Sequence, residues 1–143
     1  MAGEPAGSSW PSSPPPPAGV GWNWELSSVA ELPRVRQDLR RGLAAAAGGP
    51  TAAELDEAVV LAFDEMASNA LRHGGGRVRA TVRPLAGAWL VEVRDGAADT
   101  PPTPAVGRDP SEGGLGLYLI AELASDHGWY VTGGTKHVWA VLR

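Results

Sequence analysis

A two-layer α+β sandwich, with a mixed and mainly antiparallel sheet carrying helices on one face, is the fold the sequence predicts. Three observations carry the prediction. Stretches of period-2 alternation stand near the start of the chain, in its middle and at its end. Two long stretches of helical periodicity separate the first of these from the second. No internal repeat recurs, and the order strand, helix, helix, strand, strand, long loop, helix, strand, strand does not suit a doubly wound parallel sheet.

In chain order, residues 1–20 are Gly, Ala, Ser and Pro around a single Trp10. They offer little apolar surface to offset ordering entropy and are expected to be a disordered or polyproline tail, leaving residues 21–143 as one domain. Trp22, Trp24 and Leu26 alternate with polar residues as in a half-buried strand. From Ser28 to Ala47 the pattern is helical, with Val35, Leu39 and Leu43 on one side and Ser28 with Glu31 as a capping box. Gly48-Gly49-Pro50 ends that helix. A second opens on the capping signature Thr51-Ala-Ala-Glu54 and runs to His73, its apolar stripe being Leu55, Val59, Ala62, Phe63, Met66 and Ala70.

Val78, Ala80 and Val82, a turn at Pro84–Gly87, then Trp89, Val91 and Val93 read as a hairpin with one apolar and one charged face. Residues 96–113 lack periodicity, and a loop of that length in a small domain is usually functional, often a lid. A short helix opens at Gly114-Leu115-Gly116-Leu117 and closes at Asp126-His127-Gly128, with Leu117, Ile120, Ala121 and Ala124 inward. Trp129–Thr132, the turn Gly133-Gly134 and Lys136–Leu142 complete a second hairpin.

The 143 residues suffice for a real core, and a net charge of −4 gives no electrostatic footprint for nucleic acid or an anionic membrane. The absence of cysteine excludes disulfides, zinc–thiolate sites and thiol catalysis. With no long apolar run and no secretory signal pattern, the expectation is a soluble cytoplasmic protein.

Several polar groups nonetheless aim inward. At about 100° per residue, Asn69 and His73 fall inside the apolar stripe of the second long helix and Glu65 at its edge. An unpaired buried polar group costs roughly 1–3 kcal/mol, so either the fold or a ligand must supply partners. The bland alternative for Asn69 and His73 is bonding to backbone near the helix end, with Gly74 as a left-handed cap. Asp95 keeps the parity of Trp89, Val91 and Val93 and so points to the buried side. The glycine-led helix at residue 114 exposes N–H groups and a positive dipole end that suit phosphate. No Gly-x-x-x-x-Gly-Lys-Ser/Thr occurs, which excludes a P-loop.

Together, Glu65-x-x-x-Asn69-Ala-x-x-His73-Gly74, Asp95-Gly96, Gly114-Leu115-Gly116-Leu117 and the closing Lys136-His-Val-Trp-Ala-Val-Leu142 resemble the GHKL superfamily of ATP-binding domains. The look-alike is its anti-sigma-factor serine-kinase branch of actinobacterial type, over roughly residues 22–143. That resemblance implies ATP and Mg²⁺ as cofactors. Asn69 would be the metal ligand, a hard amide oxygen for a hard cation. Asp95, with Gly96, would read the adenine amino group, and the backbone at Gly114, Leu115, Gly116 and Leu117 would hold phosphates. Glu65 would be the catalytic residue, orienting or deprotonating the attacking hydroxyl. His73 would stand beside the site rather than in it.

By the same resemblance the partners would be an anti-anti-sigma protein of STAS type and a sigma factor, with a homodimer formed through the helix at 28–47. The chain departs from the family at Ala97, two residues after the aspartate, where glycine is usual (Ala97 and Ala98 follow Gly96), and in a proline-rich lid whose one cation is Arg108. The alternative function is therefore an inactive protein-binding module with weak or no ATP binding. A two-component sensor kinase is disfavoured, since no helix offers a phosphoacceptor histidine in a dimerisation hairpin.

Overall fold

In the computed structural model the described residues are 10–46, 52–74, 77–102 and 115–143. Strands β1 (Trp22–Leu26), β2 (Val78–Leu85), β3 (Ala88–Asp95), β4 (Asp126–Thr132) and β5 (Thr135–Leu142) form one sheet in the order β1-β2-β3-β5-β4. Every neighbouring pair of these strands is antiparallel. Helices α1 (Leu32–Ala45), α2 (Ala52–His73) and α3 (Leu115–Leu123) cover one side, as the sequence predicts for an α+β sandwich.

The core lies between α2 and the sheet because strand alternation and the helical stripe aim their apolar residues at the same layer. Val78, Ala80 and Val82 of β2, Val91 and Val93 of β3, and Val138, Ala140 and Leu142 of β5 meet Val59, Ala62, Phe63, Met66 and Ala70 of α2. Trp24 stands edge-on to Phe63 with ring centroids 5.3 Å apart, and each such large side chain contributes about 1.5–3 kcal/mol by leaving water. Helix α1 starts through a 3₁₀ turn at Val29–Glu31 with the expected capping box: Ser28 Oγ accepts from the Ala30 N–H, and Glu31 Oε1 accepts from the Ser28 N–H. Bonds from the Ser27 N–H and hydroxyl, with that from the Ser28 N–H, hold the Glu31 carboxyl below its ordinary pKa. Arg36 with Asp64 and Arg40 with Glu57 tie α1 to α2.

Both hairpin turns are where the glycines put them. Gly87 adopts φ +68°, and Gly133 and Gly134 adopt +56° and +80° between the paired Thr132 and Thr135, the left-handed pair that a tight two-residue hairpin demands.

Four expectations change. Residues 10–20 are not a free tail. Trp10 is buried beside His127, Ser13 N–H donates to Trp129 O, and Trp129 N–H donates to Pro11 O. The strap then crosses the side of the sheet away from the helices, where Ala18 packs and Gly19 N–H donates to Pro84 O. A segment poor in apolar surface docks here because one indole and an unpaired strand edge supply what its composition lacks.

Asp126-His127-Gly128 does not close α3 but opens β4, since His127 pairs with Ala140 and Gly128 with Trp139. Gly74 has no left-handed φ; it is small because a Cβ there would lie 2.6 Å from both Ala70 O and Asp95 Cβ. His73 is exposed rather than in the stripe, whereas Val60 and Ala67 join the buried face. The capping residue Thr51, the linker 48–50 and lid residues 103–113, Arg108 among them, lie outside the described residues.

Candidate functional site

Three elements converge at one end of the helix-covered layer. Helix α2 puts Glu65 and Asn69 one turn apart on the same side, both half-buried. Helix α3 brings Gly116 so close to Glu65 that a Cβ there would sit 2.1 Å from the Glu65 Oε2 atom. The end of α2 also meets the end of β3, where Gly74 lies directly against Asp95. Helix α2 therefore has Gly116 against it at Glu65 and Asp95 against its end at Gly74, although these pairs are far apart in sequence.

Among the described residues the side chains of Glu65 and Asn69 take part in no hydrogen bond or ion pair. Half-buried polar groups left this way are poised for a ligand or for water rather than for the fold. Leu117 is different: it is fully in the core beside Ile120, so a contact with phosphate at that position could come only from its backbone. Gly114 and the side chain of Leu115 lie outside the described residues.

Asp95 ends β3 with its carboxylate buried, on the face its parity predicts. Its Oδ1 accepts from the Ala97 N–H at 2.8 Å, which fixes the turn beginning at Gly96. Its Oδ2 lies 3.6 Å from Lys136 Nζ, and Lys136 is its register partner on β5. The same ammonium donates to Thr100 O at 2.9 Å. The alanine at 97 thus takes part in the aspartate's turn through its backbone alone.

Lys136, quoted above only as the start of the closing strand, is the buried neighbour of Asp95. Its signal was present, because 136 shares parity with Val138, Ala140 and Leu142, and a lysine on a buried face needs a counter-charge.

The donor set fits Mg²⁺ and a nucleotide. The carboxamide of Asn69 is a hard oxygen donor with no competing partner, and the small residues at 74 and 116 leave room where side chains would crowd Asp95 and Glu65. No cluster of three or more carboxylates or imidazoles able to hold a metal occurs among the described residues, so phosphate oxygens and water would have to complete any metal's shell.

The opposite side of the sheet carries a second polar group with a different organisation. Glu92 is buried, and its Oε2 accepts from Tyr130 Oη at 2.9 Å and faces His137 Nδ1 at 2.7 Å. A carboxylate only accepts, so Nδ1 carries a proton, and Nε2 lies 2.8 Å from the Thr132 hydroxyl. Burial, then the bond to Glu92, pushes the Tyr130 hydroxyl up to about 12. Beside this network Arg77, Arg79 and Arg94 line a cavity of about 410 Å³ that reaches Asp95–Gly96 from behind. Glu25 bonds Arg79 and is held below its ordinary pKa by that contact. Neither Glu65 nor Asn69 lines this cavity, and within it Arg79 pairs with Glu25 and Arg94 with Glu92.

Comparison with known proteins bears on the family and the fold. Residues 27–142 match the family model of the histidine kinase-like ATPase domain. Among solved structures, the chain is similar to the RsbU and RsbW domains of Rv1364c from Mycobacterium tuberculosis, with 19% identity and a TM-score of 0.55. The likeness covers 85% of this chain and 32% of that one, and at such identity it speaks to the fold. No curated protein sequence matches the chain. No helix among the described residues is long and apolar enough to cross a membrane.

Proposed function

The chain belongs to the histidine kinase-like ATPase domain family, and on that premise we propose that it binds Mg·ATP between α2, α3 and the end of β3 and acts as an anti-sigma-type regulatory serine/threonine kinase. Its substrate in this reading is a serine or threonine hydroxyl of a STAS-type anti-anti-sigma partner, and its regulatory target is a sigma factor. The observation that supports the nucleotide site is that Gly116 lies against Glu65 and Gly74, at the end of the same helix, lies against Asp95, with Glu65 and Asn69 lacking a side-chain partner among the described residues.

Asn69 would hold the metal through its amide oxygen, and the backbone at residues 114–117 would cradle the phosphates. Bound there, Mg²⁺ would supply charge neutralisation at the phosphoryl oxygens. Glu65 would take the proton of the attacking hydroxyl as its oxygen bonds to the γ-phosphorus and the bridging P–O bond to ADP breaks. Asp95 would accept from the base's amino group. Dimerisation through α1 belongs to the same proposal.

One observation favours a second reading, a protein-binding module without nucleotide: both oxygens of Asp95 already face donors, Ala97 N–H and Lys136 Nζ. Calorimetry of Mg·ATP with the wild-type chain and two variants separates the readings. Asn69→Ala should lose binding by about a hundredfold or more, consistent with losing a metal ligand. Glu65→Gln should bind normally and lose phosphoryl transfer or hydrolysis by about 10²–10⁴-fold. Full Mg·ATP affinity in Asn69→Ala removes the metal assignment; no binding by the wild type at millimolar nucleotide establishes the second reading.

A further inference from the structure

Asp95 and Lys136 are opposite charges on adjacent strands, both nearly excluded from water, with side-chain exposures of 3% and 7%. Buried ion pairs ordinarily close to hydrogen-bond distance, because contact must offset their desolvation. This pair does not close. At 3.6 Å the Nζ and Oδ2 atoms attract one another without a hydrogen bond. Asp95 Oδ1 accepts from the Ala97 N–H, and Oδ2 is the carboxylate oxygen without a hydrogen bond. Lys136 has spent one of its three donors on Thr100 O. What remains is an acceptor and a donor side by side, each short of a partner.

That pair is complementary to a planar edge with a donor next to an acceptor. The amino group and ring nitrogen N1 of adenine present such an edge. Guanine held in the same orientation would set its O6 acceptor against Asp95 Oδ2 and its N1–H donor against Lys136, so that like would face like at both positions.

We propose that Lys136 is a base-reading residue, donating to N1 of adenine while Asp95 Oδ2 accepts from the amino group, so that base recognition rests on two side chains rather than on the aspartate alone. The inference deepens the nucleotide reading above and rests on it. It also gives the departure at Ala97 a consequence. The turn that Ala97 N–H makes with Oδ1 commits one carboxylate oxygen, and selectivity then passes to the oxygen facing Lys136.

The test is calorimetric titration of the full chain with the Mg²⁺ complexes of ATP, 1-deaza-ATP (N1 replaced by C–H) and GTP, for wild type, Lys136→Met and Lys136→Gln. Wild type should bind ATP about tenfold or more tightly than 1-deaza-ATP and more tightly than GTP, since a site built to bond N1 is left with an unpaired buried donor by the analogue. In Lys136→Met the two adenine nucleotides should bind within about twofold of each other, and Lys136→Gln, which keeps an N–H donor, should recover part of the preference.

A merely structural lysine, holding Thr100 and the loop, would weaken both adenine nucleotides equally and preserve their ratio; that result overturns the inference. Equal binding of ATP and 1-deaza-ATP by the wild type overturns it without any variant and therefore regardless of whether the variants fold. GTP bound as tightly as ATP does so as well. Absence of any nucleotide binding by the wild type is a distinct outcome, which overturns the underlying nucleotide reading and this inference with it.

Discussion

The two sides of the sheet treat their polar residues in opposite ways. On the helix-covered side, Glu65 and Asn69 are half-buried and unpartnered among the described residues, and Asp95 with Lys136 stops short of a hydrogen bond. On the strap-covered side, Glu92, Tyr130, His137 and Thr132 close on one another at 2.7–2.9 Å. Burial has the same cost on both sides, so the difference lies in what repays it. A closed network is repaid by the fold and specifies a unique packing. An open set is repaid only when something binds. Sequence alone presents both as polar residues in alternating strands or stripes, and partner geometry is what separates them.

The largest expected effect comes from Trp10, which anchors the strap by burying its indole in the core cluster of the helix-covered side before the strap crosses to the other. Trp10→Ala should destabilise the protein by about 3 kcal/mol or more, the range for removing a buried Trp, somewhat reduced because its indole N–H is buried without a partner. Chemical denaturation measures this, and a change below about 0.5 kcal/mol would return residues 10–20 to the status of a passive tail.

Next, Glu92→Gln should cost about 1–2 kcal/mol by weakening the charge-assisted bonds from Tyr130 and His137, while Mg·ATP affinity stays at the wild-type value. Asn69→Ala should do the reverse, with thermal stability kept and affinity lost. If Glu92→Gln reduced nucleotide affinity as strongly as Asn69→Ala, the division between a structural side and a ligand side would fail.

The smallest effect is on pH dependence. Burial lowers the His127 pKa below 6.5, so the unfolded chain binds its proton more readily than the native one. Its contribution to stability is therefore complete above pH 6.5 and is lost as pH falls through the lowered native value. Thermal melts across that window should be shallower in pH for His127→Gln than for wild type. An unchanged slope would show that the ring beside Trp10 is not a source of the dependence.

Much of the architecture was legible in the sequence because it depends on local periodicity and on residues with one conformational use. The stripe Val59-Ala62-Phe63-Met66-Ala70, the alternation in β2, β3 and β5, the Ser28–Glu31 box and the Gly133–Gly134 turn all appear where predicted. The motif residues Glu65, Asn69, Asp95 and Gly116 were likewise readable, since fixed spacing on a helix and parity on a strand fix direction.

What the sequence could not settle were matters of who meets whom. Composition spoke against order in residues 10–20, and only the free edge of β4 and a pocket for Trp10 reversed that. Periodicity extended the stripe to His73, but its ring is exposed although Gly74 beside it is buried against Asp95. Gly74 looked like a conformational cap and is instead a steric necessity against Asp95. The pairing of Asp95 with Lys136 joins residues 41 positions apart and is set by strand register between β3 and β5. Local sequence determined which elements form and which way each side chain points; the tertiary structure alone decided which polar groups found partners, because partnership depends on distances that no single element controls.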